Sequence, residues 1–169
     1  MTLRRGDLRV TRWGARFHGR RFPCAIGRGG LTHDKREGDG ASPAGVWRLA
    51  FGGYRADRAP RPDTALAMIA IGPRDIWSDD PNDPAYNSWI TTAEHPYSHE
   101  ALRRADRLYD VVLVSDWNWP DAAPGKGSAI FVHHWRRPRY PTAGCIAFRP
   151  DHLRWILARW TARSRIILR

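Results

Sequence analysis

Apolar positions along this chain fall in short runs or in alternation, a pattern that predicts a mainly β protein with one or two helices. Residues 7–13 (DLRVTRW) and 21–27 (RFPCAIG) have strand length and composition, and the glycine-containing turn at Gly19 makes them the arms of an opening hairpin. Residues 46–51 (VWRLAF) predict a further strand, and 65–72 (ALAMIAIG) form another apolar run. The stretch 109–115 (YDVVLVS), β-branched and apolar throughout, reads as a central strand beside the buried run 129–132 (AIFV), and SRIILR at 164–169 as the last strand. Helical spacing appears twice. Ser98–Arg107 predicts a short helix with Leu102 and Ala105 facing in, and Pro150 suits a first helical position ahead of the stripe Leu153, Ile156, Leu157 and Trp160.

The polar stretches between these runs are uneven in character. Residues 28–45, rich in Gly, Asp and Lys, read by default as a solvated loop, and the Pro/Arg-rich 54–65 as an extended surface loop. Residues 78–97 mix Asp, Pro and Asn with Tyr86, Trp89 and Tyr97. That aromatic content predicts an ordered loop leaning over a site, in the manner of a lid. No internal repeat or linker interrupts the chain, and 169 residues with 42% hydrophobic positions suffice for one domain spanning 1–169.

Chemistry concentrates near the end of the chain. AIFV runs out at His133 and His134, where a strand leaves the core, and the turn Pro141-Thr142-Ala143-Gly144 leads into Cys145 and the apolar Ile146–Phe148. A thiol needs a base or a positive field to attack a carbonyl, and a strand-end imidazole supplies one. Adjacent strand residues point to opposite faces, so only one of the two rings can reach the cysteine. Gly144 lets the backbone N–H groups of residues 144 and 145 point at a developing oxyanion. A Cys with a His elsewhere is by itself a weak pattern, equally compatible with a buried structural cysteine beside a surface histidine pair. With two cysteines, Cys24 and Cys145, a disulfide-rich scaffold is excluded, and Cys24 reads as a small buried hydrophobe in a strand. His95 and His99 lie four apart but flank Pro96 and lack a third suitably spaced ligand, so no metal site is expected, and no cofactor.

The wording of IFVHHW followed by PTAGCIAF resembles the signature of the L,D-transpeptidases (the YkuD domain), in which a strand-ending histidine precedes a Ser/Thr-x-Gly-Cys-Ile/Val segment. Thr142, Gly144, Cys145 and Ile146 match it. The upstream KREGDGASPAG resembles the family's K-x-E-G-D-G-x-Thr/Ser-Pro-x-Gly, where Ser42-Pro43 and Gly45 set a structural turn into the next strand. Ala143 and Ala147 stand where many members have His and Arg, which marks a divergent branch. The resemblance implies a sandwich or partly closed barrel of mixed sheets, Cys145 as nucleophile and His133 as base. It also implies that the N–H groups at Gly144 and Cys145 hold the oxyanion, and that Arg149 takes over the carboxylate contact of the missing Arg. His134 is a further substrate-side candidate. DPAYN resembles this branch and makes Tyr86 and Asn87 substrate contacts, while the loop residues Trp117, Asn118 and Trp119 read equally as the rim of the core or as a wall for a peptide substrate. The implied reaction is attack on the third residue of a peptidoglycan donor stem with loss of terminal D-alanine, then capture by an acceptor stem amine. Hydrolysis by an L,D-carboxypeptidase is the variant with water as acceptor. A carbapenem is expected to acylate Cys145, whose pKa the histidine and positive surroundings are expected to lower, so that it reacts faster than Cys24.

Charge adds one constraint. Lys and Arg number 28 against 17 Asp and Glu, a formal net charge of +11, which calls for an anionic partner. The arginines are scattered, with no recognisable nucleic-acid motif, so a basic nucleic-acid- or wall-binding module with an inert cysteine is the rival reading and no specific nucleic acid is expected. Peptidoglycan carboxylates suit the same charge. The N-terminal stretch carries no apolar run long enough for a signal peptide or a membrane span, while the family's substrate implies the periplasm or cell envelope; a monomer is expected.

Overall fold

The computed structural model describes residues 2–169. Its first element is a meander of Asp7–Thr11 (β1), Gly14–Phe17 (β2) and Arg20–Phe22 (β3), followed by the two-residue Cys24–Ala25 (β4). The expected hairpin therefore has a third strand inside it. The chain reverses at Arg12–Trp13 and again at His18–Gly19, where φ of 46° and 83° gives the primed turn that two-residue hairpins favour. Leu31–Thr32 (β5) pairs in parallel with Ser42–Pro43 (β6), so 28–45 is not a solvated loop: Lys35, Ala41, Ser42 and Ala44 are buried.

The 46–51 run is divided between sheets. Gly45–Trp47 (β7) belongs to one and Leu49–Tyr54 (β8) to another, and the corner at Arg48 is pinned by Asp116, whose carboxylate accepts the Arg48 N–H at 2.7 Å. Met68–Ala70 (β9) runs parallel to β8 at the edge. Asp75–Ser78 (β10), Trp89–Thr91 (β11) and His99–Ala101 (β12) form a small antiparallel sheet. The helix expected over 98–107 is absent: its first residues enter the ladder of β10, and Ala105 is exposed. The carbonyls of residues 104–106, which a helix would engage, instead accept the guanidinium groups of Arg55 and Arg58 at 2.6–3.0 Å.

Val111–Ser115 (β13), Phe131–His134 (β14) and Ile146–Phe148 (β15) complete the sheet that bears the chemistry; Pro150–Leu157 (α1) and Arg165–Leu168 (β16) close the chain. The sheets are five-stranded, β3-β2-β1-β16-β7, and six-stranded, β4-β15-β14-β13-β8-β9, with β13 inside as its composition predicts. One core joins the five-stranded sheet, one face of the six-stranded sheet and the α1 stripe Leu153, Ile156 and Leu157, with Trp160 just beyond the helix. A second core lies on the opposite face, where Val112, Val114 and Phe131 meet Trp77 and Leu102 of the small sheet. The result is a mainly β sandwich of mixed sheets with one helix, and none of the sheets closes into a barrel. No helix among the described residues is long and apolar enough to cross a membrane.

Candidate active site

The two faces of β14 separate the two histidines. Phe131 and His133 point into the smaller core with Val112, whereas Val132 and His134 point toward α1. His133 is buried, and its Nδ1 lies 2.7 Å from the His134 carbonyl oxygen. A carbonyl only accepts, so Nδ1 carries the hydrogen and Nε2 is left as the basic nitrogen. The Tyr109 ring packs edge-on against the imidazole at 5.3 Å between centroids. Burial holds the His133 pKa down to about 4, against a partial lift from the carbonyl bond, so the ring is neutral at physiological pH.

Cys145 enters from β15, which pairs with β14 in parallel, Val132 opposite Ile146. The turn before it is locked at three points. The Gly144 N–H donates to Thr142 Oγ1 at 3.1 Å, the Thr142 hydroxyl donates to the Cys145 carbonyl at 2.6 Å, and the Ser42 hydroxyl donates to the Gly144 carbonyl at 2.6 Å. Ser42, fully buried, also accepts the Gly27 N–H at 2.9 Å. The KREGDGASPAG segment thus works as a buttress under the cysteine turn. Contact is close enough that glycine is required twice. A Cβ on Gly27 would meet the Gly40 carbonyl oxygen at 2.3 Å, and one on Gly144, where φ is 142°, would meet the Ala41 carbonyl oxygen at 3.0 Å. Lys35 is buried in an ion pair with Asp39, whose carboxylate also accepts the Ala41 N–H at 2.8 Å.

The sulfur itself is held by backbone. The Cys145 thiol donates to the Ala129 carbonyl at 3.1 Å, and the Phe131 N–H approaches Sγ at 3.5 Å. Burial pushes the thiol up to about 12, helped by the Glu100 charge and opposed by the Phe131 N–H and by Lys35. This corrects the expectation of a lowered pKa: the surroundings are apolar first and positive only second. Cys24, buried in the main core, is also pushed up to about 12. At physiological pH both the thiol and the imidazole therefore rest neutral.

Cys145 and His133 line one cavity of about 230 Å³ together with Glu100, Tyr109, Arg136 and Tyr140. Sequence reading missed these last four. Glu100 and Tyr109 lay in a stretch taken for a helix and at the head of a strand, and they meet at the cavity wall through the Tyr109 hydroxyl, which donates to the Glu100 carboxylate. Gly144 directly precedes Cys145, and its N–H is engaged by Thr142 Oγ1, so of the two N–H groups expected to face an oxyanion this one is already bonded.

The other named residues lie elsewhere. His134 lines a groove of about 520 Å³ on the far face with Val111, Leu153 and Leu157. Arg149 is exposed at the start of α1 in an ion pair with Asp151 and does not line the cysteine cavity. Tyr86 bonds to Glu37. Asn87 is buried, with Oδ1 accepting the N–H of Ala129 and the Trp77 indole, each at 3.0 Å, and Nδ2 donating to the Asn118 carbonyl at 2.6 Å. The Asn118 side chain is occupied within its own loop by Ala123 and Gly127. The 78–97 segment therefore reaches Cys145 from behind: through Asn87 it fixes Ala129, whose φ is 50° and whose carbonyl holds the thiol hydrogen. His95 does not pair with His99 as a chelate; its Nε2 meets Asp83 at 2.8 Å.

A family model described as the L,D-transpeptidase catalytic domain (YkuD) matches residues 8–168. No curated protein and no solved structure matches the chain.

Proposed function

The chain belongs to the L,D-transpeptidase catalytic-domain family, whose members act on peptidoglycan of the cell envelope, and from that membership we propose that it is a cysteine acyltransferase acting on stem peptides. The observation that supports this most is the meeting of Cys145 and the free Nε2 side of His133 in one cavity, from adjacent parallel strands. In the proposed mechanism the Cys145 proton passes to His133 Nε2 as sulfur attacks the carbonyl of the third residue of a donor stem. The His134 carbonyl, bonded to Nδ1–H, stabilises the imidazolium that forms. The Cys145 N–H stabilises the oxyanion, and the imidazolium returns its proton to the departing amine of D-alanine. A second stem then takes the acyl group through its amine, joining two third residues or a first and a third. Arg136, exposed at the cavity mouth beside Tyr140, is a better-placed cation for a donor carboxylate than Arg149. The protein acts as a monomeric single domain in the envelope, and its surplus positive charge serves wall association.

The test is incubation with purified tetrapeptide muropeptides. D-Alanine and cross-linked dimers are expected from the native protein and neither from Cys145→Ala. D-Alanine without dimers means an L,D-carboxypeptidase. Turnover retained in Cys145→Ala, or absent from the native protein, contradicts the proposal.

A further inference from the structure

One carboxyl group lines the cysteine cavity, and nothing in the first half of the reaction uses it. Glu100 sits on β12, half-buried, with its Oε2 accepting the Tyr109 hydroxyl at 2.6 Å. Tyr109 in turn packs on the His133 ring at 5.3 Å. Oε1 has no hydrogen-bond partner among the described residues and is not fully buried. A carboxylate beside a nucleophilic sulfur opposes thiolate formation, so its presence calls for a separate task.

Among the described residues Arg136 is the one cation that lines the cavity, and the cations around it are bonded to other partners, Arg104 reaching Glu100 only through its field. Arg104 stacks over Tyr109 at 5.2 Å but is bonded through two nitrogens to Asp106. Arg136 is at the mouth against Tyr140, and Lys35 is bound to Asp39. After D-alanine has left, the acyl group sits on Cys145 and the next reactant is an amine, which reaches the cavity as an ammonium ion. A cation entering this space meets one acidic residue in its lining, Glu100.

Resting on the transpeptidase reading above, we infer that Glu100 is the acceptor-binding residue: its carboxylate receives the ammonium of the incoming stem and removes the proton that keeps the nitrogen from attacking. The step balances as follows. The ammonium gives one proton to Glu100, and the free amine attacks the thioester carbonyl. The new C–N bond forms and the nitrogen's second proton passes to His133 Nε2. Collapse breaks the C–S bond, and the sulfur leaves with the proton from His133, restoring the thiol. Glu100 releases its proton to solvent with the product. Burial raises the Glu100 pKa, which brings the carboxylate closer to the basicity such a transfer needs. Tyr109 is then a positioning residue, holding Oε2 so that Oε1 faces the thioester.

The experiment separates the two half-reactions. D-Alanine release without acceptor measures acylation; product with a cationic stem amine and product with hydroxylamine, which is uncharged at neutral pH, measure transfer. In Glu100→Gln, cross-linking to the cationic amine should fall about tenfold or more beyond any fall in acylation, the loss of one charge-assisted hydrogen bond. Hydroxamate formation should fall only as far as acylation does. Glu100→Asp, which keeps the charge one methylene shorter, should recover part of the amine transfer, and it serves in place of the Gln variant should that not fold. Equal losses for both acceptors, or an Asp variant as defective as Gln, overturn the inference. Absence of D-alanine release from the native protein defeats the transpeptidase reading first and the acceptor assignment with it.

Discussion

The six-stranded sheet carries a cysteine and a histidine on each face, and the two pairs are arranged differently. On the face toward α1, His134, Phe148 and Cys24 stand in one row across β14, β15 and β4. Phe148 separates the other two, which at the usual strand spacing puts them roughly 10 Å apart. On the other face, His133 stands opposite Ala147, and Cys145 lies diagonally two residues before Ala147, within the reach of side chains across a ladder. Burial raises both thiols equally, to about 12. Intrinsic acidity therefore does not tell the two thiols apart. What distinguishes Cys145 is a neutral imidazole lining the same cavity, a small alanine opposite that imidazole, and a sulfur placed by backbone groups.

The largest contrast expected between the faces is in activity. Cys145→Ala should abolish D-alanine release, whereas Cys24→Ala should keep turnover; both thiols sit in core clusters, so each variant should lose some stability. Release assays alongside urea unfolding check both; the reverse pairing breaks the comparison. Next come the histidines. His133→Ala should lose about 100- to 10,000-fold in acylation rate, as removal of a general base does. His134→Ala should lose less, because its ring faces the groove by α1.

A smaller effect probes the buttress. Ser42→Ala leaves the Gly27 N–H and the Gly144 carbonyl without their buried partner, a cost of about 1–3 kcal/mol, and should lower the acylation rate by loosening the cysteine turn. Unchanged stability and rate would show that the turn holds itself. The smallest effect is in pH. Because the His133 pKa is depressed in the fold, the neutral base persists as pH falls past 6.5, and acylation should decline only toward pH 4. The same depression means that the unfolded chain takes up the proton first, so stability falls as pH drops from 6.5 toward 4. An acid limb at the ordinary imidazole value would place His133 in a wetter setting.

How much of this was legible in the sequence follows from what kind of contact fixes each part. The nucleophile strand, the central β13 and the α1 stripe are written in local periodicity, and so was the inference that neighbouring histidines face apart. The buttress was legible only as a motif. Its Ser42 is explained by an approach to Gly144, about 100 residues along the chain, and its Ala41 carbonyl by the glycine it demands at 144. Glu100 and Tyr109 carried no signal, since the apparent helix at 98–107 is overruled by a ladder with β10 and by arginine side chains from 55 and 58. Asn87 and Asn118 were placed near the site but in the wrong part of it. Polar residues in a loop look alike whether they meet a substrate or, as here, satisfy backbone groups behind the nucleophile.

Peptide-level mass spectrometry after exposure to a carbapenem tests the central claim most directly, because a strained lactam needs both the sulfur and its base. The account predicts a single adduct on the peptide containing Cys145, none on that containing Cys24, and loss of the adduct in His133→Ala but not in His134→Ala. Adducts on both cysteines, or on neither in the folded native protein, would contradict it.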